Sequence, residues 1–568
     1  MSLVGSALQI GKSALLAYQS GLQIVSNNIA NVGSEKYVRQ VAVVTPQGGT
    51  YANGTYQTAG VALVQIRRNV DEALNLRLRM AFGDKQGAMA KNQALTQLES
   101  LFNSLGEASL ASQLNEFFNA WSDLQNTPEE QSARSIVLTQ GAALSESFRR
   151  MSASLVNQYE SLNEQIVQTV DQINDLARKL ADLNLQIAAS EMGGRNPVSM
   201  LRDQRDAVLA ELSGLVAIQS REQPDGTVNV YLGNEPLVQH DLVRELTTTR
   251  EVVNGRQGVV VRWADNGKSV TPWGGKLEGL MTARDVHTVG QIQQLDRLAL
   301  ALISDVNRIH ASGQGLEGYQ SLTGSYEVRD ATAVLSSADN GLPYVPRNGG
   351  FLITVTNTTT GEQTVVRIEV DLNGVGADTT LASLAGAIDA VANLSAEVTA
   401  DNRLKITAGG GYTFTFGEDS SGVLGALGIN TFFAGRDAGT IALDANLVGQ
   451  PNRVAAATSN LPGDGSNAGR LAMLARSPSA SLNNGQSLLE FHTSVMTELA
   501  TTTSASKNAF DAADVIESSL QAQWESVSGV NLDEETLMLM RYQRAFQGAA
   551  RIVSVVDELI QQILGLVG

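Results

Sequence analysis

The C-terminal segment from Leu532 to Val567 determines how this chain is built: LDEETLMLMRYQRAFQGAARIVSVVDELIQQILGLV. Alternating steps of three and four residues along it meet an almost unbroken row of apolar side chains, in which Glu535 is the exception. That spacing is typical of a helix that packs along one face against another helix. This C-terminal stripe comprises Leu532, Leu539, Tyr542, Phe546, Ala549, Val553, Val556, Ile560, Ile563 and Val567.

The start of this helix is also predicted by the sequence. Asn531 is a favoured N-cap residue, and Asp533 and Glu534 follow in the first turn, where the helix dipole favours acidic side chains. Burying about eight large side chains at roughly 2 kcal/mol each would contribute about 15 kcal/mol. We therefore predict a helix that drives association once the entropy of ordering is subtracted.

The N-terminus carries a second, weaker stripe of the same kind. Gly11 interrupts it, and Gly5, Gly11 and Gly21 each cost about 1 kcal/mol relative to alanine inside a helix. A helix of this composition needs a partner: either the C-terminal helix of the same chain or neighbouring copies, and the position at the extreme ends favours neighbouring copies. The N-terminal stripe comprises Val4, Leu8, Leu15, Tyr18, Leu22, Val25, Ile29 and Val32.

The composition excludes several classes of protein. The 568 residues include 40 basic and 58 acidic side chains, a net charge of −18, which argues against nucleic acid or anionic membrane as the main partner. No cysteine is present, so disulfides, thiolate metal sites and cysteine nucleophiles are excluded, and export of the unfolded chain is favoured. We find no cleavable signal peptide and no apolar run long enough to span a membrane.

The chain is long enough for several domains, and helical patterns at its two ends enclose β-rich segments. We predict an α+β multidomain fold, with coiled-coil termini and a helical bundle around inserted β-rich domains. Long helices are expected at about 70–105, 109–125 and 130–190, and a β-ribbon from Tyr37–Val44 with Val61–Ile66. The predicted domains are residues 1–36 with 529–568 (terminal coiled coil); 37–190 with 285–318 and 465–528 (helical, with the ribbon); 191–284 (β-rich insert); and 319–464 (outer α/β insert).

Residue types that carry catalysis or bind metals are dispersed. The four histidines, His240, His287, His310 and His492, have no ligand or catalytic spacing. Asp371-Leu372-Asn373-Gly374 lacks the later glutamate of a calcium loop, so an Asn-Gly turn explains it better. We therefore predict no catalytic, metal or cofactor site and no enzymatic activity.

Two short signatures flank this organisation. The N-terminal signature reads Ser26-Asn27-Asn28-Ile29-Ala30-Asn31-Val32, followed by Tyr37, Arg39 and Gln40. With Ser528 to Glu535 at the other end, it resembles the flagellar rod, hook and hook-associated proteins. This chain has Gly33-Ser34-Glu35-Lys36 where that family has a proline-glycine turn, and Val38 where it has serine.

The middle of the chain resembles the hook-associated members of that family and not its rod and hook members. Three segments carry this likeness: Leu114 to Pro128, Asp203-Gln204-Arg205-Asp206 within Leu201–Leu212, and Phe414 to Phe433. The resemblance thus covers nearly the whole chain and is weakest at 320–400.

The resemblance implies a structural subunit for motility, which polymerises through its terminal helices into a tubular ring at the junction between hook and filament. The implied partners are further copies of the chain, the hook protein, a second junction protein and a cytoplasmic export chaperone over Leu539 to Val567. The implied location is the extracellular flagellum, reached by type III export without a cleaved signal. The alternatives are a rod or hook subunit, or a secreted filament-borne adhesin or enzyme that acts through the 320–450 insert.

Overall fold

The structure, a computed structural model, describes residues 2–34, 37–52, 55–57, 60–103, 109–191, 198–459, 461, 463–482 and 485–567. The chain divides into two compact units. Unit 1 contains residues 1–94, 162–283 and 505–568, and unit 2 contains residues 95–161 and 284–504. Each unit is therefore built from segments that are far apart in the sequence, while the finer division into four domains stays a prediction.

Helices account for most of the described chain, and the three long helices predicted between residues 70 and 190 are confirmed. A π-helical turn, Ala283–Thr288, joins two of the later helices. The α-helices are α1 (Ser2–Ala30), α2 (Glu72–Asn103), α3 (Leu110–Asn126), α4 (Gln131–Glu191), α5 (Ser199–Leu215), α6 (Gly275–Thr282), α7 (Val289–His310), α8 (Leu381–Asp389), α9 (Val423–Leu427), α10 (Ser466–Met473), α11 (Leu488–Ser528) and α12 (Leu532–Val567).

The strands pair antiparallel in small sheets, ordered β5-β6-β7-β8, β13-β12-β16 and β11-β15-β14, with two-stranded pairs β1-β4, β2-β3, β9-β10 and β17-β18. Their bounds are β1 (Gln40–Pro46), β2 (Thr50–Ala52), β3 (Thr55–Gln57), β4 (Val61–Arg68), β5 (Gln219–Glu222), β6 (Val228–Leu232), β7 (Glu235–Gln239), β8 (Leu242–Val243), β9 (Leu246–Val253), β10 (Arg256–Trp263), β11 (Ser321–Thr323), β12 (Gly349–Asn357), β13 (Gln363–Val370), β14 (Leu394–Val398), β15 (Leu404–Ala408), β16 (Tyr412–Gly417), β17 (Phe433–Ala434) and β18 (Ala442–Leu443). The predicted ribbon is the β1–β4 pair, which begins at Gln40 and not at Tyr37.

The core of unit 1 forms where one face of α4 meets the sheets of the 219–263 segment. Ile166, Ile173 and Leu180 recur every seven residues along α4, so they lie on one face of the helix, and all are fully buried. Buried asparagines on the same helix bind strand backbone: Asn174 Nδ2 donates to the Leu246 carbonyl at 2.8 Å, and Asn184 Nδ2 to the Val228 carbonyl at 2.9 Å. Apolar packing and paired amides together fix the sheets on this helix.

Unit 2 is centred on an aromatic core. Phe117 and Trp121 are one turn apart on α3, and their rings lie 5.5 and 5.4 Å from the ring of Phe432. Phe433 lies 5.4 Å from Phe117, and all four side chains are buried. We call these four residues the aromatic core; tilted and edge-on ring pairs of this kind stabilise beyond the area they bury.

The segment predicted as an outer insert has its own apolar cluster within unit 2. Phe351 of β12 and Phe414 and Phe416 of β16 project to the same side of the sheet, because alternate strand residues share a face. Ile388 of α8 and Leu404 of β15 are buried in the same cluster. The mixed α/β character predicted for this segment is therefore confirmed.

Some sequence-based expectations need correction or lie outside the description. Val32 is not helical, because α1 ends at Ala30 and a turn follows. Gly374 has a φ of +74°, which confirms a turn at 371–374. Three segments that we expected to be turns or breaks from the sequence lie wholly or partly outside the described residues: the end of 33–36, Asn53-Gly54 between the ribbon strands, and 192–197 after the helix at 130–190.

Candidate functional site

The site is the terminal helix pair, defined as α1 and α12, which lie in unit 1 and pack against each other within one chain. The C-terminal stripe is the face of α12 that packs. Ala549 and Val556 are buried on it, whereas Leu532 and Ile563 near its ends are exposed. Its remaining described side chains, half-buried, are those of Leu539, Tyr542, Phe546, Val553 and Ile560; the side chain of Val567 is not described.

The N-terminal stripe is only partly on the packed side of α1. Val25 is buried on this stripe, while Leu8 and Val32 are exposed. The buried side of α1 runs one residue earlier, along Ala17, Gly21, Ile24 and Asn28. The stripe residues that lie half-buried at the margin of the contact are Val4, Leu15, Tyr18, Leu22 and Ile29.

Two glycines allow α1 to approach α12 closely. A Cβ atom at Gly21 would lie 2.9 Å from Tyr542 Cε1, and one at Gly11 would lie 2.8 Å from Val553 Cγ2. Real side chains avoid such distances, so these two positions accept glycine where a larger residue would separate the helices. The rings of Tyr18 and Tyr542 lie 6.4 Å apart beside this contact.

A polar joint, defined as Asn28, Tyr37, Arg39 and Glu535, crosses the pair. Within this joint the side-chain amide of Asn28 donates two hydrogen bonds and accepts two. Nδ2 donates to Glu535 Oε2 and to the Gln40 carbonyl, both at 2.9 Å. Oδ1 accepts from the Tyr37 hydroxyl at 2.7 Å and from the Gln40 N–H at 3.1 Å. Because a buried amide without partners is costly, this network specifies asparagine at position 28.

The joint also explains why an acid interrupts the C-terminal stripe. Arg39 Nε donates to Glu535 Oε1 at 2.7 Å, and its Nη1 donates to Glu534 Oε2 at 2.7 Å. The side chain of Glu535 is only 2% exposed and that of Arg39 20%, so the carboxylate is buried and paired. The Arg39 N–H donates to the Ser528 carbonyl at 2.9 Å, which ties the same segment to the end of α11.

The ionisation of Tyr37 suits its role as a donor in the polar joint. Burial, with the negative charges of Asp203 and Glu535, raises the pKa of Tyr37 to about 12. The hydroxyl therefore keeps its proton at neutral pH and can donate to Asn28.

The N-cap predicted for α12 is confirmed close to the joint. The side chain of Asn531 accepts from the Asp533 N–H at 2.9 Å and from the Glu534 N–H at 3.3 Å. Both donors belong to the first turn of the helix, whose N–H groups have no partner within the helix itself. The cap thus fixes where α12 begins, one turn before Glu535.

The Asp-Gln-Arg-Asp segment lies on α5 and holds the β-ribbon. Arg68 of β4 pairs with Asp203 through Nε at 2.7 Å and with Asp206 through Nη2 at 2.5 Å. Burial raises the pKa of Asp203 to about 6, against the opposing effect of Arg68. Arg205 donates instead to the Gly226 carbonyl at 2.8 Å, so the segment serves the packing of unit 1.

The structure brings together part of the N-terminal signature. Asn28, Tyr37 and Gln40 converge in or beside the polar joint, and Asn31 donates to the Asn27 carbonyl at 2.8 Å, which closes the end of α1. The signature residues Ser26, Asn27 and Ala30 are exposed. The spacing of the stripe marks Glu535 only as an interruption, although an acid at a stripe position is itself the signal of a polar contact.

A second apolar face of α12 is left uncovered. Ile552, Val555, Leu559 and Ile563 are 47, 50, 45 and 42% exposed, respectively. Their spacing of three and four residues places them on one side of the helix, which adjoins the C-terminal stripe and shares Ile563 with it. We call these four residues the outer stripe; an apolar row of this kind on a helix surface indicates a site of protein association.

Elsewhere in the described residues we find fewer indications of a functional site. A cavity of about 720 Å³ in unit 1 is lined by Phe82, Arg79, Leu209 and Trp524 among others. Among the described residues, no three His, Cys, Asp or Glu side chains are grouped as metal ligands, and no helix has the length and apolarity to cross a bilayer.

The buried His310 is a structural residue of unit 2. Its Nδ1 lies 2.8 Å from the Asn430 carbonyl, and its Nε2 accepts from the Ala455 N–H at 3.0 Å. This arrangement requires a neutral ring with the proton on Nδ1. Burial accordingly lowers the pKa of His310 to about 4.

Comparison with known proteins agrees with the fold and with the helix pair. The family model for the flagellar hook-associated protein FlgK helical domain matches residues 95–325, and the model for the flagellar basal body rod FlgEFG protein C-terminal region matches residues 521–566. In structure, the chain is similar to the flagellar hook junction protein FlgK from Burkholderia pseudomallei, with a TM-score of 0.53 and 16% identity over 80% of this chain and 100% of that one. The chain is thus similar to flagellar hook-associated structural proteins, as the two signatures indicated.

Its full-length relatives carry one particular name, flagellar hook-associated protein 1. The chain is 26% identical to that of Escherichia coli, over 100% of both chains. It is 25% identical to that of Salmonella typhimurium over 99% of this chain and 100% of the relative, and 25% identical to that of Bacillus subtilis over 99 and 98%. The likeness therefore extends from the first stripe to the last.

Proposed function

We propose that this chain forms the junction ring between hook and filament by polymerising through its terminal helix pair. The observation that carries the proposal is the outer stripe, four large apolar side chains that remain about half exposed on α12. Completing their burial against a neighbouring copy contributes about 1 kcal/mol for each side chain. A subunit in a ring makes this contact on both sides, so the gain recurs with every copy added.

The terminal helix pair is suited to repeat in this way. α1 packs on the C-terminal stripe within the chain, which holds α12 in place and leaves the outer stripe exposed. One helix with two apolar faces can join its own chain and a neighbour at once. Heterologous contacts of this kind build rings or helical tubes and not closed dimers.

We infer the partners from the same surface and from the likeness to hook-associated proteins. The hook protein lies on one side of the ring and the second junction protein on the other. Before assembly, an export chaperone in the cytoplasm covers α12 over Leu539 to Val567, because an uncovered apolar row promotes premature association. The unfolded chain is then exported through the type III channel without a cleaved signal.

The test places a charge in the outer stripe. The double variant Val555→Glu and Leu559→Glu changes exposed positions, so the purified protein is expected to keep the helix content and thermal transition of the parent. Cells that carry it should swim poorly in soft agar and secrete filament subunits unattached to hooks. Val375→Glu, at a 75% exposed turn position in unit 2, is the matched control and should behave as the parent.

Normal motility and normal attachment of filaments in the double variant would overturn the proposal. The sedimentation of purified protein at high concentration gives an independent reading. The parent and the control should form large assemblies, and the double variant should remain monomeric.

A further inference from the structure

The charges on α12 are separated along its length. From Thr536 to Arg551 the helix carries Arg541, Arg544 and Arg551 and no acidic residue. From Ile552 to Val567 it carries Asp557 and Glu558 and no basic residue. In a chain with a net charge of −18, three arginines on one surface of one helix are an exception.

These charges are exposed and available. All three arginines and both acids lie on the exposed part of α12. Within the described part of the chain no ion pair involves any of the three arginines, whereas Asp557 accepts a hydrogen bond from Gln561 at 3.1 Å. Arg544, Arg551 and Glu558 are seven residues apart in turn, so they line one face opposite the C-terminal stripe.

The basic first part of α12 is complementary in charge to its acidic second part, whereas neither part is complementary to the same part of another copy. Exposed apolar residues in the first part, Leu537 and Met540, lie beside arginines, and those of the outer stripe lie beside acids. A neighbouring α12 in register would place Arg544 against Arg544, where like charges repel. A shift of seven residues pairs Arg551 with Glu558 but leaves Arg544 opposite Arg551.

A shift of about fourteen residues satisfies both the charges and the apolar surfaces. It places Glu558 of one copy opposite Arg544 of the next and leaves no two of these arginines face to face. The same shift lays the outer stripe against the segment of Leu537 to Gly548, which contains Met540, Ala545 and small residues that admit a close neighbour. In a helix this is a displacement of about 21 Å along the axis.

We propose that neighbouring copies pack α12 against α12 in parallel, displaced by about fourteen residues so that Arg544 of one copy faces Glu558 of the next. The second copy is the partner because its surface supplies the matching charges. The proposal rests on the proposed function, polymerisation through the terminal helix pair. It follows that the register of α12 against α12 sets the displacement between neighbouring subunits along the helix axis.

Charge reversal tests the register. Arg544→Glu and Glu558→Arg should each reduce assembly about tenfold, because each places like charges together. The double variant Arg544→Glu with Glu558→Arg should assemble within about threefold of the parent. The two positions are too far apart to touch within one helix, so restoration reports on the contact between copies. Failure of the double variant to recover would overturn the register.

A cysteine pair gives a second reading, because the parent chain has no cysteine. Assembled Arg544→Cys with Glu558→Cys should form a ladder of covalent oligomers on mild oxidation. Arg544→Cys alone and Arg544→Cys with Arg551→Cys should remain monomeric on a denaturing gel. Dimers of Arg544→Cys alone would indicate packing in register and overturn the proposal.

The outer-stripe variant separates the two proposals. If Val555→Glu with Leu559→Glu assembles normally, polymerisation through this face is wrong. If that variant is blocked and the charge swap is not restored, the face is right and the register is wrong.

Discussion

The terminal helix pair and the aromatic core of unit 2 both pack through apolar side chains, yet these side chains are buried to different degrees. Phe117, Trp121, Phe432 and Phe433 of the aromatic core are all at most 2% exposed. Of the described side chains of the C-terminal stripe, only Ala549 and Val556 are buried, and the outer stripe of the same helix stays about half exposed. The aromatic core is complete within one chain, whereas the terminal helix pair leaves apolar surface exposed.

Because of this difference, we expect the aromatic core to contribute most to the stability of the fold and the terminal helix pair to contribute most to assembly. Substitutions in the aromatic core should change the free energy of unfolding strongly. Substitutions in the terminal helix pair should change it less and act on how the two ends hold together.

The largest effect is expected in the aromatic core. Phe432→Ala removes a buried ring that contacts Phe117 and Trp121 and leaves a cavity, so the free energy of unfolding should fall by about 3–5 kcal/mol. Urea denaturation followed by tryptophan fluorescence measures it. Val375→Ala, at an exposed turn, should change it little, and a loss below about 1 kcal/mol for Phe432→Ala would contradict a complete core.

The next effect is a dependence of stability on pH in unit 2. The pKa of His310 is about 4 in the fold and about 6.5 in the unfolded chain, so the unfolded chain binds the proton first as the pH falls. Stability from this residue is therefore full above pH 6.5, and about 3 kcal/mol of it is lost by pH 4. His310→Gln, whose amide can also donate and accept, should lose this part of the dependence. If the free energy of unfolding changed with pH in the same way in the parent and the variant, the assignment of this dependence to His310 would be wrong.

A smaller effect is expected at the polar joint. Glu535→Gln keeps the shape but supplies one acceptor where Asn28 and Arg39 need two, so the helix pair should lose about 2 kcal/mol. Hydrogen exchange of the α1 amides should accelerate, while those of α3 should not. Glu534→Gln is the matched control, because Glu534 is 58% exposed and its side chain pairs with Arg39 only at the surface. Equal acceleration in both variants would argue against a special role for Glu535.

The smallest effect compares two glycines of α1. Gly5→Ala should stabilise the helix by about 0.5–1 kcal/mol, because nothing lies within 4 Å of the added carbon. Gly21→Ala gains the same propensity but meets Tyr542 at 2.9 Å, so the gain should be cancelled or reversed. Thermal unfolding followed by circular dichroism measures both, and an equal gain at the two positions would mean that α1 does not approach α12 closely.

Much of the fold can be predicted because periodicity reports burial. Spacing alone predicts the C-terminal stripe, and its residues form the packed face of α12 because large apolar side chains mark a face clearly. The packed side of α1 is displaced by one residue from the prediction. Gly11, Ala17 and Gly21 make that contact by being small, and a search for large apolar side chains passes over them.

The polar joint could not be predicted from spacing, since its members come from distant parts of the chain. Nothing in the sequence relates Asn28 to Glu535 until both helices are in place. The two end signatures do contain Asn28, Tyr37 and Glu535, so the resemblance includes these residues without indicating that they touch.

The hydrogen bond between Asn28 and Glu535 joins residues 507 positions apart in the sequence. Closing an unstructured loop of that length costs about 5 kcal/mol in chain entropy, so the two ends cannot be expected to meet early in folding. Once the chain between them has folded, the two ends are held near each other and most of that cost has already been met. We therefore expect the polar joint to form late in folding, so that a chain truncated or misfolded in between fails to close it.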